Sequence, residues 1–138
     1  MAFDFKCTIS LPLSQMVRRI KILLVEDDFE IGKWLKKCIL EIKNIKSLCW
    51  ETSLKQGSIA FYRYNPDIII LDLKLPDGNG INLLKEIKRH KVQCKVYVFS
   101  VNNECRKTCL RLGADAFFDK VYDSQKLINS LSQLKHKF

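Results

Sequence analysis

The stretch Ile68-Ile69-Ile70-Leu71-Asp72 constrains the fold of this chain more than any other. Four consecutive aliphatic residues have no polar face, so they fit a strand covered on both sides, as in a parallel sheet between layers of helices. In an open sheet of that kind the carboxyl ends of the strands face the crevice where ligands bind. This strand carries a carboxylate there. Pro76, Asp77, Gly78, Asn79 and Gly80 then turn the chain into a helix beginning near Ile81. Asp72 alone fits a plain turn cap equally well, so its meaning depends on what the other strand ends carry.

A second apolar strand, Ile20 to Val25, also ends in acid, at Glu26, Asp27 and Asp28. Ile31, Trp34, Leu35, Cys38, Ile39 and Ile42 recur at intervals of three and four and predict one face of an amphipathic helix from Phe29 to about Lys43. Asp28 is placed as its N-cap and Glu30 at the positive end of its dipole, which leaves Glu26 and Asp27 unexplained. Residues 46 to 51 predict a short strand near a sheet edge. Residues 53 to 64 predict a helix with Leu54, Ile59, Ala60 and Phe61 inward, stopped by Asn65-Pro66. After the central strand, Ile81 to Lys88 predicts a helix, Lys95 to Phe99 a strand with Ser100 at its carboxyl end, and Asn103 to Arg111 a helix closed by Gly113. Ala116 to Phe118 reads as a short strand closed by Asp119 and Lys120, and residues 123 to 136 as a final helix on Leu127, Ile128, Leu131 and Leu134. Strict alternation of five strands and five helices argues an α/β fold, a parallel sheet with helices on both sides.

The 138 residues, 47% of them hydrophobic, suffice for one domain, expected over 16–138. Residues 1 to 15 show no period and read as an extension outside the core. The formal charge of +9 fits a nucleic-acid, membrane-surface or acidic partner in principle. Its basic residues, however, are dispersed over helix surfaces and read as solvated faces, so no direct DNA binding is expected. Six cysteines without a CxxC pair or a secretory signal point to reduced thiols in a cytoplasm. No apolar run approaches the roughly 20 residues of a membrane span.

The strand ends collect Glu26 and Asp27, then Asp72, then Ser100, then Lys120, all on one sheet edge, with the first and third strands adjoining at the topological switch point. Two carboxylates about 4 Å apart repel by roughly 4 kcal/mol at an effective dielectric near 20, so a cation belongs among them. Mg2+, a hard ion satisfied by one or two carboxylates with phosphate oxygens and water, fits this donor set. Acid, metal, lysine and hydroxyl together suit a phosphoryl group, whose charge spreads over three oxygens.

Those residues, in that order, resemble the CheY-like receiver domain of bacterial two-component response regulators over about residues 20 to 134. The matching features are Glu26-Asp27 after a hydrophobic strand, Asp72 within Leu-Asp-Leu-Lys-Leu-Pro-Asp-Gly-Asn-Gly, Ser100 after Val-Tyr-Val-Phe, and Lys120 after Gly-Ala-Asp-Ala-Phe-Phe-Asp. The resemblance implies that Asp72 is the phosphoacceptor and that Asp27 and Asp72 hold Mg2+, or Mn2+, with the Lys74 carbonyl, Glu26 acting through metal-bound water. Ser100 and Lys120 would then contact the phosphoryl oxygens, and Ser100 and Phe117 would form the switch. It implies a sensor histidine kinase or histidine phosphotransfer protein as donor and an output partner on the face of the fourth helix, fifth strand and fifth helix. It implies a flavodoxin-like fold, a doubly wound five-stranded (βα)5 parallel sheet in strand order 2-1-3-4-5, and a signalling domain rather than an enzyme.

Two departures stand out. Val121 follows Lys120 where the family usually has proline, so a trans bond is expected and the lysine loop is free to sit differently. Val101 stands where a small residue usually follows the hydroxyl and is expected to crowd the inward path of Phe117. They keep a second reading open, a degenerate receiver that binds partners without phosphorylation. An aspartate-nucleophile phosphatase would need an acid two residues after Asp72, where Lys74 stands, and a flavin site would need hydroxyls where Glu26-Asp27-Asp28 would repel the phosphate.

Overall fold

Strand alternation in this chain serves two cores at once. The computed structural model describes residues 19 to 90 and 93 to 134. Strands β1 (Ile20–Val25), β2 (Ile45–Glu51), β3 (Ile68–Leu71), β4 (Lys95–Ser100) and β5 (Ala116–Asp119) form a parallel sheet in the order β2-β1-β3-β4-β5. Helices α1 (Phe29–Leu40) and α5 (Ser124–Ser132) cover one face. Helices α2 (Leu54–Tyr64), α3 (Ile81–Arg89) and α4 (Arg106–Arg111) cover the other. Because successive side chains point to opposite faces, Ile68 and Ile70 pack towards α1 and α5 with Ile22, Leu24, Tyr97 and Phe99, while Ile69 and Leu71 pack towards α2 and α3 with Leu23, Val25, Val96 and Val98. All four β3 residues are fully buried. Cutting one of them to alanine would cost about 2 to 5 kcal/mol.

The expected fold class and strand order are those observed, and β2 is an edge strand. Local ends differ. Helix α1 stops at Leu40 rather than near Lys43, where Ile42 N–H turns back to Ile39 O at 3.0 Å, although Ile42 still packs on the core. Trp34 and Ile59, expected inward, are 41% and 36% exposed. The apolar stripes of α1 and α2 are wider than the strip the sheet covers, and these two residues lie at the rim. Ladder pairing of Ser100 with Asp119 carries β4 and β5 one residue further than expected. Gly113 adopts φ +106, and Gly113 N–H and Ala114 N–H bond back to Leu110 O and Cys109 O, a left-handed close that favours glycine. Residues 1 to 15, the expected start at Met16 and the expected last turn at 135–136 lie outside the described residues.

Among the described residues, no helix is long and apolar enough to cross a membrane.

Candidate functional site

Parallel pairing of β1 with β3 sets Val25 beside Leu71, so the residues that follow them leave the sheet side by side. The Asp72 N–H continues the ladder to Val25 O at 3.0 Å, and Glu26 N–H does the same to Glu51 O at 3.0 Å. Carboxylate oxygens of Glu26, Asp27 and Asp72 consequently lie within 4.8 Å of one another. Glu26 and Asp72 are buried, 1% and 5% exposed, and Asp27 is open to solvent.

Lys120, one residue past β5, is brought in by its N–H bond to Ser100 O at 3.0 Å. Its Nζ reaches Asp72 Oδ2 at 2.9 Å and Glu26 Oε1 at 2.7 Å. The contact with Glu26 Oε1 is an ion pair without hydrogen-bond alignment, and that buried oxygen has no hydrogen-bond partner among the described residues. Glu26 Oε2 accepts the Asp28 N–H at 3.0 Å. Burial, with the neighbouring Asp72 charge adding to it, pushes the Glu26 carboxyl up to about 7, against the opposing pull of Lys120 and the Asp28 amide. For Lys120, burial would lower the ammonium, but its contacts with Glu26 and Asp72 outweigh this and hold it above its ordinary value.

The cluster opens into a shallow pocket of about 340 Å³ walled by Asp27, Asp72, Lys74, Pro76, Val101 and Lys120. Three convergent carboxylates, one with an oxygen lacking a hydrogen-bond partner, beside an open pocket match the donor set of a hard divalent cation. The residues present fit such an ion.

The chain matches the family described as response regulator receiver domain over residues 22–132. It belongs to that family. It is 30% identical over 114 residues to the nitrate/nitrite response regulator protein NarL of Escherichia coli K12, a match covering 81% of this chain and 53% of that protein. It is 34% identical over 105 residues to the transcriptional regulatory protein QseB of Escherichia coli O157:H7, covering 75% and 47%. The chain thus spans about half the length of these curated relatives. Among solved structures it is similar to the receiver domain of a putative Luxo repressor protein from Vibrio parahaemolyticus, with TM-score 0.73, 25% identity and coverage of 83% of this chain and 88% of that one. It is equally similar to the response regulator domain of Thermotoga maritima CheB, with TM-score 0.73, 25% identity and coverage of 84% and 96%.

The remaining candidate residues of this receiver domain divide into two groups. Lys74 lies in a two-residue-by-two-residue hairpin, Lys74–Leu75 with Gly78–Asn79, and its N–H makes a long 3.4 Å approach to Asp72 Oδ1. Ser100, 1% exposed, ends β4 beside the site, and its Oγ accepts the Asn102 N–H at 3.0 Å. Phe117 is not in the pocket. It is buried in the core on the α2, α3 and α4 side, with the Arg106 guanidinium 4.7 Å from its ring centroid and Arg106 Nη1 donating to its carbonyl at 3.1 Å. Val101, expected to crowd the inward path of Phe117, is 54% exposed and lines the pocket.

The Lys120–Val121 bond is trans. Val121 N–H donates to Asp119 Oδ1 at 2.7 Å, a bond that proline could not make, and Asp119 also accepts from the Asn103 side chain. Asp119 therefore organises the lysine loop. The sequence places it only at the end of a strand, and its one signal for this role is an acid two residues before a non-proline amide. Trp50 was missed altogether. Its Nε1 donates to Glu26 O at 2.9 Å, and its ring lies where a Cβ on Gly32 would stand, 2.0 Å from Trp50 Cζ2.

Proposed function

We propose that Asp72 accepts a phosphoryl group from a phosphohistidine on a sensor histidine kinase or a histidine phosphotransfer protein. The observation that carries this is the meeting of Glu26, Asp27 and Asp72 within 4.8 Å at a pocket that Lys120 also enters. In the transfer, an Asp72 carboxylate oxygen forms the new bond to phosphorus while the phosphorus–nitrogen bond of the donor breaks and its electron pair returns to the imidazole. Mg2+, or Mn2+, held by Asp27, Asp72 and the Lys74 carbonyl with Glu26 behind them, would screen the carboxylates and draw charge from the phosphoryl oxygens. Lys120 supplies a fixed positive charge to those oxygens, and the Ser100 hydroxyl a donor once it turns from its present role as acceptor.

Exposed apolar side chains suit docking of a donor protein. Phe29, Val101, Val121 and Tyr122 are 63%, 54%, 65% and 82% exposed, and each lines the pocket or stands within two residues of a residue that does. Output is assigned to the face of α4, β5 and α5, with Ser100 and Phe117 coupling it to Asp72.

The deciding experiment is labelling by acetyl phosphate or a phosphorylated histidine donor. Wild type should take up phosphate only with Mg2+ or Mn2+, and Asp72→Asn should take up none. Equal labelling of both, or uptake undiminished by EDTA, sinks the assignment. No uptake by wild type under any condition supports the phosphorylation-independent binding module.

A further inference from the structure

One wall of the pocket is Lys74, Leu75 and Pro76, from a hairpin that pairs Lys74–Leu75 with Gly78–Asn79, and the tip of that hairpin is fastened to a helix that does not line the pocket. Asp77 Oδ1 accepts the Leu54 N–H at 2.7 Å and Oδ2 accepts the Lys55 N–H at 2.9 Å. One carboxylate thus takes the first two amides of α2, which have no partner within the helix. The helix's own cap, Ser53, takes only a later one, its Oγ accepting the Gln56 N–H at 3.1 Å. These backbone donors hold the Asp77 carboxyl below its ordinary value.

The segment is seated at its other end too. Gly80 N–H donates to Leu73 O at 2.7 Å, and a Cβ on Gly80 would lie 2.3 Å from Asp72 O, so only glycine allows this approach. Gly78 lies against α2, where a Cβ would come within 2.9 Å of Leu54 Cδ2. Between the seat on Asp72 and the clamp on α2 run Lys74, Leu75 and Pro76, the residues that wall the pocket.

We propose that Asp77 is a positioning residue for the cation and phosphoryl site: clamped on the amino end of α2, it fixes the Lys74 to Pro76 wall, and the Lys74 carbonyl with it, relative to Asp72. This rests on the reading of the pocket given above. Groups that orient a metal ligand from outside the coordination sphere typically change affinity by 10- to 100-fold when removed, and a carboxylate locked by two backbone donors has the rigidity such a role needs.

The test is a Mg2+ titration of the full chain followed by NMR amide shifts, on wild type, Asp77→Ala, Asp77→Asn and Ser53→Ala. Ser53→Ala removes another acceptor from the same helix end without touching the hairpin, so it reports the effect of weakening α2 alone. Asp77→Ala should raise the half-saturating Mg2+ concentration roughly tenfold, quicken amide exchange over residues 74–80, and raise by the same factor the Mg2+ needed for half-maximal labelling by acetyl phosphate. Labelling at saturating Mg2+ should stay near wild type. Asp77→Asn keeps one acceptor oxygen and should recover part of the loss, and it serves as the folded variant should the alanine chain not fold. Ser53→Ala should lower the melting temperature and leave the Mg2+ midpoint in place. A wild-type midpoint in both Asp77 variants, or an equal shift in Ser53→Ala, overturns the proposal. A wild-type chain that binds no Mg2+ overturns the reading of the pocket itself, and that outcome is visible without any variant.

Discussion

Lys120 Nζ lies 2.7 Å from Glu26 Oε1, a buried oxygen with no hydrogen-bond partner among the described residues. The ammonium is what makes a charged Glu26 tolerable inside the fold. Removing one partner of a buried pair costs about 3 to 5 kcal/mol, because the other charge stays buried alone. Lys120→Ala should therefore lose about 3 kcal/mol at pH 8, and distinctly less at pH 5, where Glu26 can take up a proton instead. Urea unfolding at the two pH values checks this; a loss independent of pH would mean that the ammonium acts through Asp72 or through packing and not through Glu26.

The raised Glu26 carboxyl gives a second, signed expectation. Its folded value of about 7 lies above the ordinary 4.5, so between these values the folded chain binds more protons than the unfolded one. The associated stability is fully present below about 4.5 and is lost as pH rises through about 7. Without metal, wild type should lose stability relative to Glu26→Gln between pH 5 and pH 8, by an amount on the order of 3 kcal/mol. Mg2+ affinity should run the other way and strengthen with pH across the same window, since proton and cation compete for the cluster. Parallel pH profiles of the two chains would refute the assignment of the titration to Glu26.

Mg2+ should stabilise the unmodified chain by about 2.7 kcal/mol at a hundredfold excess over its dissociation constant, because it binds the folded state and not the unfolded one. Asp27→Ala should lose most of that response and, in EDTA, be more stable than wild type, one repelling charge having gone. Calorimetric melts with and without Mg2+ measure both. A wild-type midpoint indifferent to Mg2+ would remove the cation from the site.

Gly32→Ala should destabilise the chain by about 1 to 3 kcal/mol, the usual range for overpacking. The new methyl would have to displace the Trp50 ring, and with it the bond from Trp50 Nε1 to Glu26 O. Denaturant midpoints report the loss. An unchanged midpoint would show that the ring yields freely.

A phosphoryl mimic such as beryllofluoride with Mg2+ should produce a modest change in NMR shifts over residues 101 to 122. Phe117 is already 5% exposed, so little burial remains to be gained there, and a ligand moves an equilibrium no further than its differential affinity allows. The change should be largest where the Ser100 hydroxyl, leaving Asn102 N–H, frees the start of the Asn103–Cys105 turn. Ser100→Ala should bind the mimic and show less change. Shifts confined to the neighbourhood of Asp72 in wild type would separate phosphorylation from this output face.

The sequence by itself determined a parallel sheet covered on both faces and the gathering of Glu26, Asp27, Asp72 and Lys120 at one edge of it. Those follow from periodicity and chain order, because right-handed crossovers between parallel strands bring the carboxyl ends of β1, β3 and β5 to the same edge; the order of the strands was implied by the resemblance of the motifs to a family and not by their period. What only the tertiary structure decided are contacts between segments whose sequences do not refer to each other. Asp77 reads as a turn residue, and nothing near it names the amides of Leu54 and Lys55 as its partners. Gly32 reads as a weak helix residue until Trp50, on a strand after the helix, is seen lying against it. Trp34 and Ile59 fit an apolar stripe, and whether a stripe residue is covered depends on how much of the stripe the sheet reaches. Val101 follows a buried strand in the sequence, and only the structure shows it exposed on the pocket rim. Pattern fixes which residues reach an edge or a face, because it is a property of the backbone repeat; loop conformation and packing then choose which side chains touch.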